Sequence, residues 1–493
     1  MIRILSKESM SITDKKTMYD KDVSEIDLVC KAANECFKFV QDIAKNKRIV
    51  VACGNSNNSS DGFKLAKILR ENNYDCIVFY DFELSHMNKT CTYFYEDYMS
   101  EYKEFITNDV DIFNSCDYII DALIGNGLNG PLREKTVSIV NGINNSRAIK
   151  VAIDLPTGLD SDTGNFCPVC VHADYTLAIS NLKLGHVLSD GPDVCGKVKI
   201  LDIGLNNYDN LEHVSSIDLD EYRDYFDRKY NSNKYDYGNV LAIGSNVSMP
   251  GAGIMSSLSA LKSGSGLVTL ACPKENLDIV STKAPLEIMV KSIDDEDILN
   301  KKDTVVFGPG LKNDDRFIPL LEKLLSLEIN LIVDADGLGL LSKINGINMK
   351  RANLVITPHI GEASRLLNKS SSEIKADIFG SFKELIDMYD CMVVLKGHNT
   401  LVGDKSSYYI SLNGNSGMAT AGSGDVLSGI IAGVSGKEMS LKSVLLGVYI
   451  HGLAGDIAKE KVGETSLMAS DIISNIPYAI ENVKKENKKW KNY

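Results

Sequence analysis

The chain has 493 residues, 44% apolar and 24% charged, a balance that supports buried cores and excludes a disordered chain. At roughly 100–200 residues per domain, two to four domains are expected. The 66 acidic and 53 basic residues leave a formal charge of -13, which argues against nucleic acid as a partner but leaves local phosphate-binding loops open.

The first residues, MIRILSKESMS, carry no signal-peptide apolar region, and no stretch approaches the ~18 consecutive apolar residues of a membrane helix. A cytoplasmic location and no membrane partner are therefore expected. Eleven cysteines without framework spacing read as reduced thiols. Cys167-Pro-Val-Cys170 with His172 lacks a second CxxC and reads as an ordinary loop rather than a zinc or redox site.

In chain order, short β-branched runs alternate with helix-compatible stretches, the pattern of parallel α/β layers. The first half predicts six strands, around Ile49–Val51, Cys76–Phe79, Tyr118–Ile120, Val151–Ile153, Leu177–Ile179 and Val198–Leu201. After the first comes Cys53-Gly54-Asn55-Ser56-Asn57-Asn58-Ser59-Ser60-Asp61-Gly62, a small-polar turn entering FKLAKILRE, which has helical apolar spacing. Asp121-Ala122-Leu123-Ile124-Gly125-Asn126-Gly127-Leu128-Asn129-Gly130-Pro131 and Asp154-Leu155-Pro156-Thr157-Gly158-Leu159-Asp160 follow two further strands. Their carboxylate, amide and hydroxyl oxygens suit an alkali or alkaline-earth cation, though Asn and Asp are also ordinary turn formers. Gly191 to Lys197 has P-loop spacing, but Val198 replaces the metal hydroxyl and a strand follows instead of a helix. The polar stretch from about Asn206 to Ser216 reads as a linker, dividing the chain into 1–214 and 215–493.

The three strand-end segments, in this order, resemble the NAD(P)H-hydrate epimerase domain over about Ser24 to Gly204. The resemblance implies that Asn58, Asp121 and Thr157 coordinate potassium. It also implies that Asn57, Asn58, Asp61 and the run Gly125, Asn126, Gly127, Leu128, Asn129, Gly130 and Pro131 contact substrate, with Asp154 as the acid/base carboxylate. The family loop is glycine-rich where this chain has Ser56, Ser59 and Ser60. Glycine permits positive φ and close backbone approach to a pyrophosphate, so three added Cβ atoms are expected to impair epimerisation.

The second half restarts the same grammar with runs at Val240–Ile243, Val305–Phe307, Leu331–Val333, Leu354–Ile356 and Met392–Leu395. After successive runs stand Gly244-Ser245-Asn246, Gly308-Pro309-Gly310, Asp334-Ala335-Asp336, Thr357-Pro358-His359 and Lys396-Gly397-His398-Asn399-Thr400. In parallel sheets these strand ends converge on one crevice. Gly414 to Asp425 is a glycine loop opening into VLSGIIAGV, which suits a buried helix. Consecutive amides from Gly422 to Asp425 can hold the charge of a transferring phosphoryl group, with Asp425 placed to take a hydroxyl proton. The plainer alternative is that Asp425 only caps the helix.

Gly-Ser-Gly-Asp is similar to the anion-hole motif of ribokinase-like enzymes. The longer set, from Lys234 to Asp471, resembles their ADP/ATP-dependent NAD(P)H-hydrate dehydratase branch; it includes Ser263 to Thr269, Gly361-Glu362-Ala363 and His451-Gly452-Leu453-Ala454-Gly455-Asp456. By that likeness Ala252, Gly310, His359 and Asp425 touch the hydrated dinucleotide. Lys396, Gly397, His398, Asn399, Thr400 and Gly424 hold ADP or ATP, with Mg2+ accompanying it, and Gly422, Ser423 and Gly424 form the anion hole. Asn233, Gly337, Ile360 and Ser416 depart from the usual family pattern. Two doubly wound α/β domains are expected, Rossmann-like then ribokinase-like, in a homo-oligomer that repairs hydrated NADH and NADPH. The alternatives are a small-metabolite kinase sharing the anion hole, or an N-terminal half reduced to a binding module.

Overall fold

The computed structural model describes residues 2–166, 168–222, 224–344 and 353–485. The chain divides into two units, one spanning Ile2–His213 and the other beginning at Val214.

In the first unit the apolar runs are buried on both faces, as parallel strands covered by helices must be. Seven parallel strands form a sheet in the spatial order Ile106–Thr107, Asp75–Phe79, Arg48–Cys53, Tyr118–Ala122, Ile149–Ile153, Tyr175–Ile179, Lys197–Leu201. The order runs outward in both directions from Arg48–Cys53, the doubly wound arrangement. One face packs Val51, Phe63, Leu69 and Phe94, the other Val50, Phe79, Phe113 and Ile139. The helix Glu25–Ile43 begins at a capping box between Ser24 and Asp27. Six strands are expected from sequence; the seventh, Ile106–Thr107, is two residues long and carries no readable period. Arg3–Leu5 adds a short parallel pair with Leu182–Lys183. Gly191–Val194 is one helical turn leading into the strand Lys197–Leu201, so the P-loop spacing is coincidental. Cys167 lies outside the described residues, while Cys170 is buried with Leu155, Leu159 and Cys195, and the ten described cysteines are free.

In the second unit the order is Met289–Ser292, Leu267–Cys272, Asn239–Ile243, Thr304–Phe307, Asn330–Val333, Leu354–Ile356, Met392–Leu395, all parallel. The hairpin Thr400–Gly403 and Tyr408–Ser411 continues it antiparallel. His213–Ser216 then joins parallel to Tyr408–Ser411 with Val214 buried, so the last four residues of the expected linker are a strand. That segment gains its pairing from a partner almost 200 residues away, which no local pattern reveals. Helix Ser423–Ser435 crosses Pro250–Lys262 closely: a Cβ at Gly429 would lie 2.1 Å from the Ser256 carbonyl oxygen. Helix Leu441–Val462 is long and apolar enough to cross a membrane, and 72% of its most apolar window is buried within the protein.

Candidate active sites

The strand order of the first unit reverses between Arg48–Cys53 and Tyr118–Ala122, and the loops after these strands open a crevice. A cavity of about 550 Å³ lies there, lined by Asn57, Asn58, Asp61, Gly125, Asn126, Gly127 and Asp154 among others. Leu128, Asn129, Gly130 and Pro131 are not part of its lining; Lys7 Nζ donates to the Leu128 carbonyl and Asn129 Oδ1, both at 2.7 Å.

Asp154 ends its strand with φ +64°, a conformation uncommon outside glycine and a pointer to function. Its carboxylate is ion-paired with Lys183, whose side chain is 1% exposed, and accepts the Asn126 amide at 3.2 Å and the Ile179 amide at 3.3 Å. Burial works against that charge, but Lys183 and the other donors prevail and hold the carboxyl below its ordinary value. His186 Nδ1 accepts the Lys183 amide at 2.9 Å, so its Nε2 donates to the Asp154 carbonyl at 2.7 Å. Burial lowers its pKa to about 4 and keeps it neutral. Sequence reasoning missed Lys183 and His186, although they follow a strand just as the other candidates do.

Asp121 and Thr157 sit beneath this cavity, both fully buried. Asp121 accepts from the Thr157 hydroxyl at 2.7 Å and the Thr157 amide at 2.8 Å, and burial pushes its carboxyl up to about 6. Asn58 spends its amide nitrogen on the Ile153 carbonyl at 3.0 Å, which turns its oxygen toward Gly125. These donors are hard oxygens, and Asp121 forms no ion pair among the described residues, a donor chemistry compatible with an alkali cation.

The backbone strain expected of serine in this loop is not found. No residue from Asn55 to Asp61 has positive φ. Ser56 precedes helix Asn57–Glu71 in extended conformation, and Ser59 and Ser60 lie within its first turn. Ser59 Oγ accepts the Gly54 amide and donates to the Ala122 carbonyl, both at 2.7 Å, while Ser56 Oγ donates to the Leu123 carbonyl at 2.7 Å. The Ser56 and Ser59 hydroxyls tie the loop to the neighbouring strand end, whereas the buried Ser60 Oγ has no hydrogen-bond partner among the described residues.

In the second unit a cavity of about 710 Å³ is lined by His359, Lys396, Gly397, His398, Thr400, Ser423 and Gly424. Asn413 to Ser416, His451 and Gly452 supply more of its wall. Asn399, Gly422, Asp425, Ala252 and Gly310 are outside that lining; Asp425 directly follows Gly424, and Ala252 and Gly310 neighbour each other where this sheet reverses. His359 caps helix Ile360–Leu367, its Nδ1 accepting the Gly361 amide at 2.9 Å.

Gly422 has φ +89°, and a Cβ there would meet Met255 Sδ at 2.7 Å, so this turn demands glycine. The Ser423 amide donates to the Thr420 carbonyl at 3.3 Å and is not free for a ligand. The amides of Gly424 and Asp425, in the first helical turn, have no acceptor among the described residues. The amides open to an anion are thus fewer than the run from Gly422 to Asp425. The Asp425 carboxylate accepts no hydrogen bond among the described residues and does not cap the helix, which removes the plainer reading of it. Lys396 Nζ is committed elsewhere, to Asp334 Oδ1 at 2.8 Å and Glu362 Oε2 at 3.5 Å. Burial, then the charge of Asp334, pushes the Asp425 carboxyl up to about 7.

Two residues of the His451 to Asp456 motif, given no role of their own from sequence, support this region, His451 in the wall and Asp456 behind it. His451 Nε2 lies 3.0 Å from the Ser423 carbonyl, and burial lowers its pKa to about 4. Asp456 accepts the Gly414 amide at 3.0 Å and the Asn415 side-chain amide at 2.9 Å. Both stand on the helix Leu441–Val462, five residues apart.

Residues 25–185 match the YjeF-related protein N-terminus family and residues 240–478 the NAD(P)H-hydrate dehydratase family. The chain is 33% identical over 468 residues to the bifunctional NAD(P)H-hydrate repair enzyme Nnr of Coxiella burnetii, covering 93% of this chain and 95% of that one. It is 31% identical over 462 residues to the protein of the same name from Escherichia coli, covering 91% and 89%. A solved ribokinase-like superfamily protein from Enterococcus faecalis superposes with a TM-score of 0.51 at 26% identity, covering 56% of this chain and 98% of that one.

Proposed function

Because the chain belongs to the bifunctional NAD(P)H-hydrate repair enzyme family, we propose that it returns hydrated NADH and NADPH to the reduced coenzymes. The second unit carries the nucleotide-dependent dehydration and the first the epimerisation that makes both hydrate epimers usable. The observation that carries the reading is Asp425, a partly buried carboxyl without hydrogen-bond partners among the described residues, which directly follows Gly424 of the cavity wall and is pushed up to about 7. In its ionised form Asp425 takes the proton of the ring hydroxyl as that oxygen attacks the terminal phosphorus of ADP or ATP, the terminal phosphoanhydride bond breaks and AMP or ADP leaves. Gly424 and Asp425 amides steady the phosphoryl oxygens, and departure of phosphate with a proton from the adjacent ring carbon restores the dihydronicotinamide. Lys396, Gly397, His398 and Thr400 form the nucleotide side of the cavity, with Mg2+ entering alongside the phosphates.

In the first unit Asp154 is the ionised carboxylate beside the substrate. A potassium ion held by Asn58, Asp121 and Thr157 would supply a fixed positive charge under the loop that contacts substrate. A small-metabolite kinase with an N-terminal binding module is not favoured, since both halves match the repair family.

The test is incubation with an epimeric mixture of NADH hydrate and ADP or ATP in turn, following dihydronicotinamide absorbance. Complete return is expected. A stable phosphoester would overturn dehydration, and a return that stops after one epimer would overturn epimerisation.

A further inference from the structure

The cavity of the first unit holds more carboxyl groups than its cations neutralise. Asp14 on helix Lys7–Lys21, Asp61 on helix Asn57–Glu71 and Asp154 at its strand end all line it, as do Glu25 and the cations Lys7, Lys15 and Lys183. Lys183 is taken by Asp154, and Lys7 by Leu128 and Asn129. Asp14 accepts no hydrogen bond and forms no ion pair among the described residues, and the same holds for Asp61. A mostly buried carboxyl left without a protein partner at a cavity wall is costly unless a ligand meets it or it keeps its proton.

Resting on the epimerase reading above, we propose that Asp14 is the proton donor of epimerisation, the catalytic partner of Asp154. Hydration places the hydroxyl on the ring carbon next to nitrogen. Asp154 takes the hydroxyl proton as the carbon–nitrogen bond breaks, its electron pair passes to nitrogen, and nitrogen takes the proton of Asp14. The aldehyde so formed turns about its single bond and recloses from the other face. Nitrogen then returns its proton to Asp14 and the new hydroxyl recovers one from Asp154, so the cycle consumes nothing.

The two unpartnered carboxyls differ in fitness for this role. Burial, reinforced by Asp154 and Asp14, pushes Asp61 well above the carboxylate range, which favours its protonated form. Burial raises Asp14 only to about 6, with Lys183 opposing and Asp154 and Glu25 adding to the rise. An acid near the operating pH both gives and recovers a proton.

The experiment measures epimer equilibration of NADH hydrate by the full chain without nucleotide, alongside hydrate binding by calorimetry. Asp14→Asn should lower the rate by ~10²–10⁴ while binding persists, and Asp14→Glu should restore part of it. For the unsubstituted chain, rate over KM should fall as pH rises through about 6, because the protonated donor is lost; Asp14→Asn should abolish that fall. Dehydration of the S epimer by the same variants, unchanged, separates this effect from unfolding. An unaltered rate and pH profile in Asp14→Asn would overturn the proposal, as would loss of the alkaline limb in Asp61→Asn but not Asp14→Asn. Failure of the unsubstituted chain to equilibrate epimers would instead overturn the epimerase reading.

Discussion

Each unit sets a buried lysine and aspartates at the carboxyl edge of a parallel sheet, and the two arrangements leave the key carboxyl in opposite states. In the first, Lys183 is paired with Asp154, and that carboxyl is held low. In the second, burial raises Asp425 to about 7 and Asp334 adds to the rise, while Lys396, paired with Asp334 and approached by Glu362, opposes it without prevailing. Burial acts on both; the partner chosen by the lysine decides the sign. An ionised carboxylate suits a site that must hold a base ready, whereas a carboxyl poised near neutrality can accept a proton from a weakly acidic hydroxyl and release it again.

The largest break in this comparison is Asp425→Asn. It should remove ~10²–10⁴ of the dehydration rate with apparent nucleotide affinity retained, and near-normal turnover in steady-state kinetics would strip Asp425 of its role. The same variant should be stabilised at higher pH. A carboxyl whose folded value is raised binds a proton more tightly in the folded state, so it costs stability as pH rises from about 4 towards 7, and Asn removes that loss.

Next in size is Lys183→Met, which leaves Asp154 buried without its cation. Breaking such a pair costs about 3–5 kcal/mol, readable by urea unfolding at neutral pH. Because Asp154 is held low in the folded state, the pair's contribution is present above the unfolded carboxylate value and lost as pH falls through the folded one. The difference between the two proteins should therefore shrink in acid, and a pH-independent difference would point to lost packing instead.

Asp334→Asn sharpens the comparison from the other side. It frees Lys396 to favour the charged form of Asp425 and removes a like charge. The ascending limb of the dehydration pH profile, expected near 7, should move to lower pH. An unmoved limb would mean that burial alone sets Asp425.

The smallest effect is expected of Ser59→Gly. Loss of the hydroxyl bonds to Gly54 and Ala122, together with glycine's helix penalty, should cost ~1–2 kcal/mol and leave epimerisation no faster. A faster variant would revive the steric argument that ordinary φ values at this loop oppose.

Strand-end motifs were legible because parallel sheets put their chemistry where each apolar run stops, which places Asp154, Lys396 and the loop holding Asn58; Asp425 is read from a glycine loop opening a helix, and the roles of these residues come from the family resemblance. The doubly wound class and the buried helix Ser423–Ser435 follow from apolar periodicity and small-residue content, which are local properties of the chain. Three things were decided only in three dimensions. His213–Ser216 became a strand through pairing with Tyr408–Ser411, a contact no short window contains. Asp14, far upstream of the other candidates, reaches the first cavity because its helix lines that crevice. The protonation of Asp154 and Asp425 depends on which carboxylate each lysine meets across the sheet edge, and Coulomb interactions in a buried site fall with distance in space rather than along the chain.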